Sequence, residues 1–281
     1  MQSGHSGAGW LVGVCCDFPG SGSHLLLPSP RGRGLRLSSI HLIPRVIERD
    51  VKILFSDTFL IGIMFANFCI DLFVTAATFG NLIGSSYFLR IAPGSNLITA
   101  MVAAFQSGRD IWREKYIKDL ASYLLTLPIS RKIFALSRIT GGVARSVIAT
   151  FPGTLVISYL YGILFSPRLI EAFVIVAVFS LGIVGLSIAV SAFASTIEVF
   201  ATVRSAIQLY LSFLSTIFYD VSLFPAIVQP IVETNPMTWA MQAFSALQSQ
   251  GSTFYPISVL VGPSLAFALL GAVCYLWYTR L

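Results

Sequence analysis

The sequence predicts an all-helical integral membrane protein, and three observations support this fold class. The mean hydropathy is +0.82 and only 11% of the residues are charged, whereas a soluble domain must present a charged surface to water. Six apolar stretches reach or approach the roughly 17 to 25 residues that a membrane-spanning helix needs. The basic residues also lie mostly on one side of these stretches, as membrane proteins require. The bilayer is therefore the expected solvent.

Polar segments separate the six predicted membrane spans. The second is the least apolar because it contains Pro93, Gly94, Ser95 and Asn96. A segment that polar is expected to face other helices or a cavity rather than lipid. The predicted spans are 58–79, 93–108, 140–164, 170–193, 203–222 and 257–277.

The distribution of positive charge predicts the topology. With six crossings, most of the 18 Lys and Arg residues lie on one side, whereas Arg90 and Arg168 lie on the other and Arg145 lies within the third span. The majority side consists of Arg31, Arg33, Arg36, Arg45, Arg49, Lys52, Arg109, Arg113, Lys115, Lys118, Arg131, Lys132, Arg138, Arg204 and Arg280. By the positive-inside rule this side is cytoplasmic. We therefore expect a multi-pass plasma (inner) membrane protein with both termini in the cytoplasm.

Two different segments precede the first span. Residues 1–41 are rich in Gly, Ser and Pro without periodicity, which is typical of a disordered tail or an over-extended gene start. In the next segment Ile43, Val46, Ile47 and Val51 recur at helical spacing between charged residues. That pattern predicts an amphipathic helix at the inner membrane interface. The transmembrane domain is thus expected to comprise 42–281.

Several catalytic motifs are absent from the sequence. The three histidines, His5, His24 and His41, all precede the first span, so the spans contain no His for a metal site or for general base catalysis. There is no Gly-Lys dipeptide and no Gly-x-Ser-x-Gly motif, which excludes a P-loop and a nucleophile elbow. We expect no metal, no cofactor and no enzymatic activity in this chain. The one-sided positive charge also gives no reason to expect nucleic acid as a partner.

A charged helix is predicted between the second and third spans. Trp112, Tyr116, Leu120, Tyr123 and Leu127 step by four, four, three and four residues, and so form one apolar face. Charged residues occupy much of the remaining surface. This interfacial helix is either a solvated anchor for a loop or a docking surface for a partner.

Two blocks of sequence resemble the ABC-2 type transporter permeases. The first, at 87–134, reads YFLRIAPGSNLITAMVAAFQSGRDIWREKYIKDLASYLLTLPISRKIF; the second, at 215–247, reads STIFYDVSLFPAIVQPIVETNPMTWAMQAFSAL. In the first block the matching positions are Pro93, Gly94, Glu114, Leu124, Leu125, Pro128, Ser130 and Arg131. In the second they are Asn235, Pro236, Met237 and Thr238. The similarity extends over about residues 42–281.

The resemblance implies the permease subunit of an ATP-binding cassette exporter. Two six-helix subunits, identical or paralogous, would form the pore, and ATP hydrolysis would take place on separate ATPase chains docked beneath them. The charged helix would then be a cytoplasmic coupling helix. The expected contacts with the ATPase are Glu114, Lys115, Tyr116 and Asp119. Arg131 and Lys132 are expected to bind anionic membrane lipids.

A pore between the second and fifth spans would be polar but uncharged, beside aromatic side chains. Such a surface suits an amphipathic, lipid-like or glycan substrate better than a small ion. The residues expected to line the substrate pathway are Asn96, Thr99, Gln106, Gln208, Ser212 and Phe213.

The segment after the fifth span contains Pro225, Pro230 and Pro236, which are too many for one straight helix. It is either a pair of short helices partly re-entrant in the outer leaflet or an ordinary interfacial hairpin. Asn235 and Pro236 are expected to form the turn within it.

Two ionisable residues lie inside predicted spans. Arg145 is expected to extend toward the inner surface, and Asp71 is expected to have either a functional or a hydrogen-bonded structural role. Two rival functions remain. One is a membrane scaffold that docks an ATPase without transporting. The other is a lipid-modifying enzyme, which the lack of His in the spans disfavours.

Overall fold

The computed structural model of the protein describes residues 52, 62–63, 65–70, 72–74, 85–116 and 131–278. These residues belong to the compact unit Leu37–Leu281. The tail, nearly all of the predicted interfacial helix, Asp71 and the distal part of the predicted coupling helix lie outside the described residues.

The described elements are helices, with no strand among them. We number them in chain order. They are α1 (Ser85–Tyr116), α2 (Arg131–Leu160), α3 (Arg168–Phe193), α4 (Ile197–Phe213), a 3-10 turn (Val221–Leu223), α5 (Gln229–Thr234), α6 (Pro236–Gln248) and α7 (Phe254–Tyr278). Residues 62–63, 65–70 and 72–74, within the first predicted span, are also helical.

Among the described residues, four helices are long and apolar enough to cross a membrane. They are Phe88–Glu114, Arg131–Leu160, Arg168–Phe193 and Phe254–Trp277, and they correspond to the second, third, fourth and sixth predicted spans. The fifth predicted span, 203–222, corresponds to the 17-residue α4, which begins and ends earlier in the chain. It begins early because the side chain of Thr196 caps its first turn by accepting a hydrogen bond from the Val199 amide.

The third predicted span also differs from its helix. The prediction was 140–164, whereas α2 begins at Arg131 and ends at Leu160. The early residues are helical and carry Arg138, whose guanidinium pairs with a carboxylate of α1. The helix ends early because Gly162 has φ +69, a left-handed conformation that terminates helices.

The core of the bundle is built around α1 and α3, whose apolar side chains are almost completely buried. The largest include Phe105, Leu97 and Met101 on α1 and Phe179 and Ile183 on α3. The short helix α6 also packs into this core, with Met237, Ala240, Phe244 and Leu247 fully buried.

Helices α3 and α7 pack closely because glycines face each other. A Cβ added at Gly185 would lie 2.5 Å from the Cα of Ala268, and one at Gly271 would collide with the backbone of Gly185. Small residues allow two backbones to approach in this way, which is how membrane helices associate without a hydrophobic driving force.

The helices alternate in direction, so the bundle has two distinct ends. At the charged end, Trp112 of α1 donates its indole N–H to the carbonyl of Ala194, just after α3, at 3.1 Å. At the far end, Tyr161 donates its hydroxyl to the Leu89 carbonyl at 3.0 Å and Arg168 donates to the Gln250 carbonyl at 3.0 Å. Both ends are thus fixed by hydrogen bonds between one helix and the residues that follow another.

We expect Gly185→Val to destabilise the protein by about 3 kcal/mol, the upper end of the usual cost of overpacking, because the new side chain collides with backbone atoms that cannot rotate away. Gly262→Val is the matched control, since a Cβ at Gly262 has no atom within 4 Å. Thermal unfolding of the two purified variants measures the difference. Equal unfolding temperatures would show that the close packing of α3 and α7 does not matter.

Candidate coupling site and transport pathway

Four charged side chains join α1 to α2 near the charged end. Arg145 Nη1 lies 2.5 Å from Asp110 Oδ2, and Arg138 pairs with Glu114 in the same way. The two helices run in opposite directions, so Asp110 pairs with the later arginine, Arg145, and Glu114 pairs with the earlier one, Arg138. We call Asp110, Glu114, Arg138 and Arg145 the ion ladder.

The ion ladder is largely shielded from water. The side chains of Arg138 and Arg145 are each 6% exposed, whereas those of Glu114 and Asp110 are 18% and 27% exposed. Removing ions from water is costly, and a buried guanidinium needs a counter-charge to offset this cost. Relative movement of α1 and α2 at this level would therefore separate charges in a poorly hydrated environment.

Glycine between the two arginines lets α1 and α2 approach at the ion ladder. A Cβ at Gly142 would lie 2.8 Å from both the Ser107 hydroxyl of α1 and a methyl group of Val184 on α3. The sequence signals for this site are modest: two acids one helical turn apart on α1 and two arginines two turns apart on α2. The sequence predicts an inward-extending Arg145 and an ATPase-contacting Glu114, and its pattern does not reveal that the four charges pair.

The residues expected to contact an ATPase are placed in different environments. Glu114 is part of the ion ladder. Tyr116 is 48% exposed and its ring stacks on Trp112 with centroids 5.0 Å apart, while Trp112 is only 7% exposed. Lys115 is part of α1, although its side chain is not described, and Asp119 lies outside the described residues. Of these four residues, Tyr116 is the one whose described side chain is exposed.

A groove of about 490 Å³ lies between α1 and α4. Gln208, Ser212 and Phe213, three of the six predicted pathway residues, line it. The full lining consists of Ile91, Ser95, Ile98, Ser205, Gln208, Leu209, Ser212, Phe213, Ile217 and Phe218. Most of this wall is apolar, with a few amide and hydroxyl groups, so the groove is amphipathic.

The other three predicted pathway residues lie outside the groove lining. Asn96 is fully buried and donates to the Thr154 hydroxyl of α2 at 3.0 Å. Thr99 donates to the Ser95 carbonyl of its own helix, and Gln106 is 6% exposed. Residues 91, 95 and 98 follow helical spacing and place Ser95 on the groove face. Sequence analysis did not select Ser95, although that spacing was available.

Asn235 connects the end of α4 to the start of α6. Its side-chain oxygen accepts a hydrogen bond from the Met237 amide at 2.9 Å, and so caps α6. Its side-chain nitrogen donates to the carbonyls of Leu211 at 3.1 Å and Leu214 at 2.6 Å. Those carbonyls have no partner within a helix that ends there. Asn235 and Pro236 thus lie at the junction of α5 and α6, and the Asn235 side chain fixes the position of α4.

A second and larger cavity, of about 700 Å³, lies at the far end of the bundle. Arg90, at the start of α1, forms two hydrogen bonds with Asp220 in its wall, at 3.0 and 2.5 Å. The hydrogen bond from Arg90 holds the pKa of Asp220 below its ordinary value. This pair contributes stability above the ordinary carboxyl pKa, and the contribution is lost as the pH falls through the lowered value.

Comparison with known proteins gives one family. The model of the family described as ABC-2 type transporter matches residues 42–249, from the predicted interfacial helix through α6. No curated protein matches the sequence.

We expect Asp110→Asn to destabilise the protein by up to about 3 kcal/mol, because Arg145 loses its counter-charge. This value is the low end of the usual cost of breaking a buried ion pair. Arg113→Gln, an exposed change on the same helix, should have almost no effect. The double variant Asp110→Asn/Arg145→Gln should recover part of the loss, and a double-mutant cycle of chemical unfolding measures this coupling. Additive effects would contradict the ion ladder.

Asn235→Ala should cost about 2–3 kcal/mol, since it removes a helix cap and two hydrogen bonds to backbone carbonyls. Asn235→Asp separates the two roles, because it keeps the capping oxygen but replaces the donor with an oxygen facing two carbonyls. We expect it to be at least as destabilising as the Ala variant in thermal unfolding. If Asn235→Asp unfolds at the native temperature, capping alone explains the residue.

Proposed function

Because the chain belongs to the ABC-2 type transporter family, whose members are the membrane permeases of ABC transporters, we propose that it exports an amphipathic substrate with energy from a separate ATPase. The observation that carries this proposal is the continuity of α1. This one helix, Ser85–Tyr116, contributes to the ion ladder and reaches Tyr116 at one end, and forms a wall of the groove nearer the other.

Energy enters at the charged end in this proposal. The ATPase contacts Tyr116 together with Lys115, Asp119 and the residues that follow α1. Glu114 acts through its pairing with Arg138, which transfers a displacement of the contact surface to α2. Because the ladder is buried, α1 and α2 move together instead of sliding past each other.

The movement then reaches the groove. A helix is stiff along its length, so a tilt of α1 at its charged end changes its spacing from α4 at the groove. Asn235 holds the last turn of α4 to α6, so α4 does not simply follow α1. Opening and closing of the α1–α4 seam is the step that moves the substrate.

The substrate class follows from the chemistry of the groove. Its apolar wall accepts hydrocarbon, whereas Ser95, Gln208 and Ser212 supply hydrogen-bonding groups. An amphipathic molecule, lipid-like or carrying a glycan, matches both, but a small ion does not.

The orientation of the assembly follows from its charges. The charged end is cytoplasmic by the positive-inside rule, so the far end faces outward and both termini lie in the cytoplasm of a plasma (inner) membrane protein. Arg131 and Lys132 are exposed at the charged end, where they bind anionic lipid headgroups. A second copy of the permease, identical or paralogous, completes the pore.

Reconstitution tests the proposed function. The permease, purified together with the ABC-type ATPase that accompanies it in native membranes, is placed in liposomes that contain a fluorescent phospholipid analogue. ATP should increase the movement of the analogue from the ATPase side to the other leaflet, and a variant ATPase that does not hydrolyse ATP should abolish this increase. ATPase binding without ATP-dependent movement would indicate a scaffold instead.

Tyr116→Asp and Asp119→Arg should each reduce recovery of the ATPase with the permease by about tenfold or more, since losing one well-placed interfacial contact costs at least 1.4 kcal/mol. Phe165→Asp is the control, because Phe165 is fully exposed but belongs to the far end. Quantitative co-purification measures the effect. If the far-end change reduces recovery as much as the other two, the docking surface is misplaced.

A further inference from the structure

We infer that the far-end cavity binds an uncharged, hydroxyl-rich headgroup of the amphiphile whose apolar part occupies the α1–α4 groove. The inference deepens the proposed function, because it names the chemistry of the substrate's polar part and the place where it binds.

The cavity and the groove are neighbours along the same two chain segments. On α1 the cavity is lined by Arg90 and Pro93, and the groove by Ile91 and Ser95. After α4, Thr216 lines the cavity and the next residue, Ile217, lines the groove. Consecutive Cα atoms are only about 3.8 Å apart. The Ile217 side chain, which packs against Gly94 of α1, lies between the two spaces, so they are close enough to hold the two parts of one amphiphile.

The two spaces differ in polarity. The groove is mainly hydrocarbon, whereas hydroxyl and amide groups from three segments of chain converge on the cavity. These groups belong to Tyr161, Thr216, Ser222, Gln242, Ser245 and Gln248. Such groups both donate and accept hydrogen bonds, as the hydroxyls of a sugar do. The change from an apolar groove to a polar cavity therefore matches the change from hydrocarbon chain to polar headgroup in an amphiphile.

The charges of the cavity favour a neutral headgroup. Among the described residues of its lining, the charged ones are Arg90 and Asp220, which pair through two hydrogen bonds. An anionic headgroup would have to compete with Asp220 for the guanidinium, and a cationic one would have to compete with Arg90 for the carboxylate. A neutral headgroup binds without breaking this pair.

One polar atom in the lining is buried without a partner. Thr216 is 8% exposed, and its hydroxyl oxygen makes no hydrogen bond to a described residue. Buried polar groups normally have partners, so this hydroxyl is available to a ligand in the cavity. The volume of about 700 Å³ is in the range of small-molecule sites, roughly 300–1,000 Å³, which is large enough for a small sugar.

Binding to the full-length protein in phosphatidylcholine nanodiscs tests the inference. Three fluorescent ceramides with the same acyl chain serve as probes, with a glucose, a phosphate or a phosphocholine headgroup. Energy transfer from the protein's tryptophans reports saturable binding above that of empty nanodiscs. We expect the glucosyl probe to bind at least about tenfold more tightly than the other two, as expected for one or two extra hydrogen bonds. Equal affinity for all three probes would overturn the inference.

Two sets of variants locate the headgroup. Gln242→Leu/Gln248→Leu should weaken the glucosyl probe about tenfold and leave the phosphocholine probe unchanged, since only the former loses hydrogen bonds. Gln229→Leu, outside the cavity lining, is the matched control. Asp220→Asn should strengthen binding of the phosphate probe several-fold, because the phosphate no longer competes with the Asp220 carboxylate for Arg90. This gain cannot come from misfolding, and its absence would contradict the assigned site.

The outcomes for binding and transport are separable. Selective glucosyl binding that these variants abolish, without ATP-dependent movement of any probe, would support the headgroup site and refute the proposed export function. ATP-dependent movement of a probe together with unselective binding would support the proposed export function and refute the headgroup site.

Discussion

The structure depends above all on the ion ladder between α1 and α2. Two guanidinium groups, each only 6% exposed, lie at the level where the bundle leaves its apolar core. Asp110 and Glu114 make their burial possible. Because a buried charge tolerates the loss of its partner poorly, this interaction fixes the register of the two helices more strictly than hydrocarbon packing would. In an ABC-2 type permease it also lies between the residues expected to meet the ATPase and the rest of the bundle.

Apolar and hydroxyl contacts hold the other helices. Helices α3 and α7 approach through Gly185 and Gly271, and Asn235 attaches the end of α4 to α6. The groove lies between α1 and α4. The ion ladder joins α1 to α2, whereas Asn235 attaches α4 to α6. A seam between two separately anchored helices is the natural place for a pathway to open. Its amphipathic lining and the polar cavity beside it are consistent with one elongated substrate.

The helical fold class and the bounds of the most apolar helices were predictable from hydropathy. The long helices α3 and α7 lie within a few residues of their predicted spans, because each is a continuous apolar run bounded by turn residues. The ends of α2 and α4 were not predictable in the same way. Helix α2 precedes its predicted span because Arg131, Lys132 and Arg138 are helical although they are charged, and the end of α4 is bonded by Asn235, 21 residues beyond Leu214. Hydropathy does not assign charged residues to a span, and periodicity does not contain bonds between distant residues. The same limit applies to the predicted pathway residues, of which Gln208 and Ser212 line the groove whereas Asn96 bonds to Thr154.

The central claim is that α1 and α2 move as one unit at the charged end while α1 moves relative to α4. Pulsed electron spin resonance on a cysteine-free background measures this directly in the reconstituted complex. One pair of spin labels replaces Arg113 and Leu136, which report on α1 and α2; the other replaces Arg113 and Val203, which report on α1 and α4. We expect ATP to change the second distance distribution and leave the first unchanged. A change in the first distance with a constant second distance would contradict the claim.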